Sequence, residues 1–234
     1  MAHDMKTSPH EALSPTNLEA LQDQRLREIL NPAQSALLVI DLQNDFVSPD
    51  GKSSALWRQD ISAMRAAVPK IEAIADLFYA KGRPVIRTII YEDPELRTKA
   101  GLDRFLWFEG NDREGEVACL KGTWGAELYT PAHDDDIVIE KQRTSAYAGT
   151  ELSKVIVEQG ITTLVVVGVK TQRCVGRTVQ DLYDNEPNLH VVVLEDCVAS
   201  DDAELHEATM TELKRFYPPV IKSGKLSKIW QETN

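Results

Sequence analysis

Residues 160–175 read GITTLVVVGVKTQRCV. The apolar run 164–167 is short and stops at Gly168. Such a run, bounded by glycines, predicts a strand buried on both faces of a sheet. Just downstream, Val175, Val179 and Leu182 recur at helical spacing and predict a helix over 174–185. Cys174 falls in the first turn of that helix, three residues after Thr171, a candidate cap.

The same alternation extends in both directions. Apolar runs at 36–40, 84–90, 137–139 and 191–194 have the buried-strand character, and 219–221 is a weaker sixth. The first ends in Asp41, the third in Glu140-Lys141 and the run at 191–194 in Glu195-Asp196. Between them, 69–81 places Ile71, Ile74, Ala75 and Phe78 on one face. Pro69 suits its first turn and Gly82 the position past its end. Helical spacing also marks 150–159 and 203–216, the latter with Asp201 or Asp202 as cap. Strands alternating with helices predict an α/β fold, a three-layer sandwich with a mostly parallel, six-stranded, Rossmann-like sheet and helices on both faces. One domain is expected over 35–234. Residues 1–34 form a polar extension whose helix at 18–30 packs on a partner subunit or belongs to a loosely ordered tail. The stretch 91–133, with Trp107, Phe108 and Trp124, holds one weak helix at most. A loop of that length in a compact domain is usually functional.

Composition bounds the possible partners. The 234 residues are 42% hydrophobic and 27% charged, the balance of an ordinary globular chain. The net charge is 26 − 37 = −11, which repels nucleic acid and anionic membranes. No apolar run approaches the length that spans a bilayer. MAHDMKTSPHEALSP lacks the apolar stretch of a signal peptide, so a cytoplasmic location is expected. Cys119, Cys174 and Cys197 are too few, and odd in number, for a disulfide framework.

In an open parallel sheet, ligands bind beyond the carboxyl ends of the strands. Asp41, Lys141, the segment from Gly168 to Cys174, and Asp196 all fall there. A thiol at a helix start feels the positive end of the helix dipole, and Lys141 would add a cation, both favouring thiolate. Asp41 could accept the thiol proton, completing the layout of covalent catalysis. Each residue also has a plainer reading. A free cysteine is usually a small buried hydrophobe, although Cys174 is in register with Thr178 and Asp181 rather than with the apolar stripe. A lone Asp after a strand is commonly a turn or cap residue, and a lone Lys there is commonly solvated.

On these residues the chain resembles the isochorismatase-like cysteine hydrolases. LLVIDLQNDF at 37–46, VIEKQRTSAYAGT at 138–150 and GITTLVVVGVKTQRCV at 160–175 carry the resemblance, in the family's order. The Lys-to-Cys spacing, 174 − 141 = 33, also matches. The resemblance implies a catalytic triad of Asp41, Lys141 and Cys174. It implies a cis peptide between Val169 and Lys170, and an oxyanion hole made by the backbone N–H groups of Lys170 and Cys174. It places Phe46 and Tyr147 in the substrate pocket, with Trp124 contributed by the long loop. Lys121 is assigned to loop structure or substrate contact. Relatives are often dimers or tetramers, so a homo-oligomer is expected.

Departures from the family narrow the expectation. Nicotinamidases of the family hold a metal through Asp-x-His and a further His, and none of the five histidines here makes that pattern. No metal and no other cofactor are therefore expected. Isochorismatases that cleave a vinyl ether generally lack the cysteine, so Cys174 favours C–N hydrolysis through a thioester. The substrate is then a small linear amide, ureido or carbamoyl compound. Isochorismate hydrolysis, or a catalytically inactive binding protein, are the alternatives. Lys170 stands where the family usually has a small residue. Its side chain could pair with a substrate carboxylate, pair with Asp196 or an acidic residue of the long loop, or point to solvent.

Overall fold

The computed structural model describes residues 15–93, 99 and 117–233. Six strands, β1 (Ser35–Ile40), β2 (Val85–Ile90), β3 (Ile137–Lys141), β4 (Thr163–Val169), β5 (His190–Ala199) and β6 (Val220–Ile221), form one sheet. Their order is β3-β2-β1-β4-β5-β6, and every neighbouring pair is parallel. The helices are α1 (Pro15–Ile29), α2 (Asn44–Val47), α3 (Lys52–Ala55), α4 (Ser62–Ala80), α5 (Leu152–Glu158), α6 (Gly176–Asn185), α7 (Ala203–Phe216) and α8 (Ser223–Glu232).

Side chains alternate across a strand, so each central strand feeds two cores. Along β1, Leu37 and Val39 join the core shared with α1, α4 and α8. Ala36, Leu38 and Ile40 join the core shared with α5, α6 and α7. This is the expected three-layer α/β architecture, with a sheet that is parallel throughout.

Several boundaries differ from the sequence reading, each for a packing reason. α4 begins at Ser62, so Pro69 lies inside it. The ring removes one helical hydrogen bond, but buried Met64, Ala67 and Val68 extend the apolar face past it. The helix expected from Cys174 is preceded by a π-helical turn, Thr171–Val175, and becomes α-helical only at Gly176. α8 was not legible because only Leu226, Ile229 and Trp230 of its ten residues face the core. The C-terminal end of α1 packs on its own chain, while Leu18 and Leu21 stay exposed. Leu26, Ile29 and Leu30 are buried in the first core, and the Trp230 indole donates to the Leu30 carbonyl at 2.8 Å. Most of the long stretch 91–133, including Trp107 and Phe108, lies outside the described residues.

Register brings the carboxyl ends of four strands to one edge. Ile40 pairs with Thr88 on one side and Gly168 on the other, and Ile90 pairs with Lys141. The approach of β4 to β1 is very close. A Cβ on Gly168 would lie 2.2 Å from the Ile40 carbonyl oxygen, and the Gly168 φ of +121° is one that side chains disfavour. Gly168→Ala should therefore lose the native fold or a large part of its Tm. Gly82→Ala, with φ +62° but open space around it, should cost only about 1–2 kcal/mol. Thermal denaturation of the two variants checks this. A Gly168→Ala variant as stable as Gly82→Ala would contradict the close approach.

Candidate active site

Asp41 leaves β1 with φ +52°, a left-handed conformation sparsely populated by residues other than glycine. The conformation is held from β2. The Asp41 N–H approaches the Thr88 carbonyl and hydroxyl oxygens, each at 3.3 Å. In return the Thr88 hydroxyl donates to Asp41 Oδ1 at 2.7 Å. Oδ2 faces Lys141 Nζ at 2.8 Å, with both side chains wholly buried. Lys141 ends β3, and its ammonium donates to the carbonyls of Arg143 and Thr144 at 3.1 and 3.0 Å. It also donates to Cys174 Sγ at 3.4 Å. Asp41 Oδ2 is held by its close ion pair with this ammonium, and the Cys174 thiol also hydrogen-bonds to the Asp41 carboxylate.

Cys174 is carried by the π-helical turn that follows β4. The Val169–Lys170 peptide entering that turn is cis. The Lys170 carbonyl accepts from the N–H groups of Arg173 and Val175, the residues flanking Cys174. Asp41, Lys141 and Cys174, which stand far apart in sequence, therefore meet in one buried cluster.

Burial opposes the Lys141 charge, but Asp41 and Cys174 outweigh it and raise its pKa above the ordinary lysine range. For Cys174, burial pushes the thiol up, and the neighbouring Asp41 carboxylate pushes it further, with Lys141 offsetting only part. The helix start and Lys141 favour thiolate, whereas burial and the Asp41 carboxylate favour the thiol, and the net push is upward. Cys119 and Cys197 are also raised by burial.

The residues after Asp41 tie the neighbouring segment 117–126 to the sheet edge. The Gln43 amide donates to the carbonyls of Ile90 and Ala126, and that of Asn44 donates to the Trp124 carbonyl. The Asp45 carboxylate accepts from the N–H groups of Lys52 and Cys119. Trp124 is held there by its backbone while its side chain stays half exposed. Lys121, exposed and 3.7 Å from Asp93, belongs to this loop.

The Lys170 side chain pairs with Asp201 at 2.7 Å and Gln59 at 3.2 Å, and its ammonium lies 5.6 Å from the Phe46 ring centre. The partner is not Asp196, because β5 carries three more residues than β4 between their paired positions (166 to 168 against 193 to 198). Asp196 instead accepts from the Ser223 N–H and hydroxyl at the start of α8. Tyr147 turns its hydroxyl to Glu186 and Ser153, and Glu186 closes the far end of the helix that Cys174 leads into. The Tyr147 side chain packs against the core cluster that includes Cys174.

Thr88, Gln59 and Asp201 were missed in the sequence. Thr88 left a signal, a lone hydroxyl in the segment VIRTII at 85–90. Gln59 and Asp201 left none, since loop amides and helix-cap acids are common. A metal of the nicotinamidase kind does not fit. Among the described residues no three His, Cys, Asp or Glu side chains converge, and the Asp-x-His pattern is missing from the sequence.

Residues 35–223 match the Isochorismatase domain family, and the chain belongs to that family. It is 32% identical over 186 residues to a probable inactive nicotinamidase of Arabidopsis thaliana, covering 78% of this chain and 89% of that protein. It is 30% identical over 200 residues to the ureidoacrylate amidohydrolase RutB of Acinetobacter baylyi, covering 80% of each. In fold it is similar to an isochorismatase family protein from Desulfovibrio vulgaris, with a TM-score of 0.70 at 23% identity. That match covers 85% of this chain and 98% of the other.

Because Asp41 disfavours thiolate, Asp41→Asn should lower the Cys174 pKa and leave Lys141 unopposed. Iodoacetamide labelling of Cys174 near pH 7 should then speed up several-fold, since the thiolate is the reactive form, while turnover is lost. In the parent the labelling rate should climb as pH rises into the alkaline range. Mass spectrometry of the labelled peptide measures both. Slower labelling in Asp41→Asn would overturn this electrostatic reading.

Proposed function

We propose that the protein is a cysteine-dependent amidohydrolase that cleaves a C–N bond of a small linear amide, ureido or carbamoyl compound. The observation that carries this reading is the buried contact of Cys174 Sγ with Lys141 Nζ at 3.4 Å, with Asp41 Oδ2 2.8 Å from the same ammonium.

In the proposed reaction the Cys174 sulfur attacks the substrate carbonyl as Asp41 Oδ2 takes the S–H proton. The upward push on the thiol favours such a concerted transfer, and the hydrogen bond between Cys174 and the Asp41 carboxylate supports Asp41 as the acceptor. The carbonyl oxygen becomes an oxyanion facing the N–H groups of Lys170 and Cys174, an interaction worth about 10²–10³ in rate per donor in comparable sites. The C–N bond then breaks as Asp41 returns the proton to the leaving nitrogen. Water, deprotonated by Asp41, attacks the thioester, the C–S bond breaks, and the proton returns to sulfur. Lys141 keeps the cluster near neutral at each stage. No step calls for a metal.

The likeness to a ureidoacrylate amidohydrolase supports the ureido and carbamoyl classes. The relative named as a probable inactive nicotinamidase keeps an inactive role in view, and the complete Asp41–Lys141–Cys174 contact set speaks against it here. Vinyl ether cleavage is disfavoured because it has no use for the thiol. Ammonia release across a panel of small amides and ureido acids tests the reading. Turnover should vanish in Cys174→Ala with Tm preserved, and substantial residual hydrolysis in that variant would sink the covalent mechanism.

Lys170 bears on substrate charge. Its ammonium is already paired with Asp201 in a nearly buried site, the side chains being 9% and 8% exposed. Breaking such a pair costs about 3–5 kcal/mol, so Lys170→Met should lower Tm. It should change KM for acidic and neutral substrates alike. A selective rise of about 10-fold for acidic ones, equal to about 1.4 kcal/mol, would instead make Lys170 a carboxylate anchor.

A further inference from the structure

We infer that His206 is a positioning residue for the nucleophile: through Thr171 it fixes the turn that presents Cys174. The inference rests on the reading of Cys174 as nucleophile.

Thr171 is the first residue of the π-helical turn and follows directly on the cis peptide's Lys170. It is fully buried, and its hydroxyl lies 2.9 Å from His206 Nδ1 on α7. The turn's own backbone also fastens it: the Lys170 carbonyl takes two N–H groups, and the Thr171 carbonyl accepts from Gly176. Its Cys174 end is tied to other segments, because Lys141 donates to Cys174 Sγ and the Thr178 hydroxyl donates to the Cys174 carbonyl while accepting from the Ala146 N–H. Its Thr171 end is tied to α7 through His206, and α7 is anchored independently. Asp202 caps it through the Leu205 N–H, and Met210 and Leu213 bury its inner face.

The close approach of α7 points the same way. A Cβ on Gly176 would lie 2.9 Å from the Thr171 carbonyl oxygen and 3.0 Å from Thr209 Cγ2. α7 thus presses on the turn at both ends, with a methyl group at Gly176 and a ring nitrogen at Thr171. A hydroxyl can donate or accept, so the Thr171 contact forms with either ring tautomer. A displacement of about 1 Å in a reacting group can cost about 10²-fold in rate. The side chain that locks the turn therefore acts on turnover without touching substrate.

Four variants test this: His206→Leu, His206→Asn, Thr171→Val and the double His206→Leu/Thr171→Val. The asparagine amide can occupy the place of Nδ1, and leucine cannot. His206→Leu should lower kcat about 10-fold or more, within the range a misplaced nucleophile allows, with KM changed less than about three-fold. His206→Asn should recover most of the loss. Thr171→Val should match His206→Leu, and the double variant should be no worse than either. The iodoacetamide labelling rate of Cys174 should shift in the leucine variant and return towards the parent in the asparagine variant. The inference is overturned if leucine and asparagine lose kcat and Tm equally, if kcat is untouched, or if the two single losses multiply in the double variant. Failure of the underlying reading looks different, since Cys174→Ala would then retain turnover whatever His206 does.

Discussion

A carboxylate and an ammonium 2.8 Å apart, both without solvent exposure, constrain everything around them. Removing each ion from water costs several kcal/mol, and mutual attraction offsets this only when the remaining donors and acceptors are also satisfied. Lys141 meets that demand by drawing in the carbonyls of Arg143 and Thr144, so the chain after β3 must turn back on itself. Asp41 meets it through Thr88, which requires β1 and β2 to stay in register to their last residues. Cys174 completes the cluster only if β4 lies against β1 closely enough that Gly168 can carry no side chain. The architecture of the sheet edge follows from keeping one ion pair dry.

That arrangement also sets the order of chemical events. A cysteine in an exposed, cation-rich helix start would rest as thiolate and react with many electrophiles. Here burial and Asp41 push the thiol pKa up, which disfavours thiolate before a substrate arrives.

The parallel sheet was legible because its strands are buried on both faces and read as continuous apolar runs, as 36–40 and 164–167 do. The triad was legible as candidates because each member stands just past such a run. What the sequence did not reveal lies in pairings between distant segments. Lys170 gave no sign of choosing Asp201 over Asp196, because that choice turns on the extra residues in β5. Tyr147 matched a family position, yet its hydroxyl goes to Glu186, a partner supplied by the end of another helix. The upward push on the thiol was hidden for a similar reason: the helix dipole can be read from local sequence, whereas desolvation depends on what packs on top. α8 was invisible because a helix with three inward residues has too little periodicity to notice.

The contact between the Trp230 indole and the Leu30 carbonyl has a bearing on how the chain is made. Leu30 leaves the ribosome two hundred residues before its partner. Until Trp230 and the rest of α8 arrive, the core on that side of the sheet has Phe78, Leu26 and Leu30 without this part of their cover, since the Trp230 and Phe78 rings meet at a tilt of 48° with centres 4.5 Å apart. The triad itself ends at Cys174, but Lys170 is paired by Asp201 and Thr171 by His206, so the catalytic edge also waits on β5 and α7. Synthesis of the last helix then acts as the closing step, and a chain stalled before it would present a sticky apolar groove to chaperones or to another copy of itself.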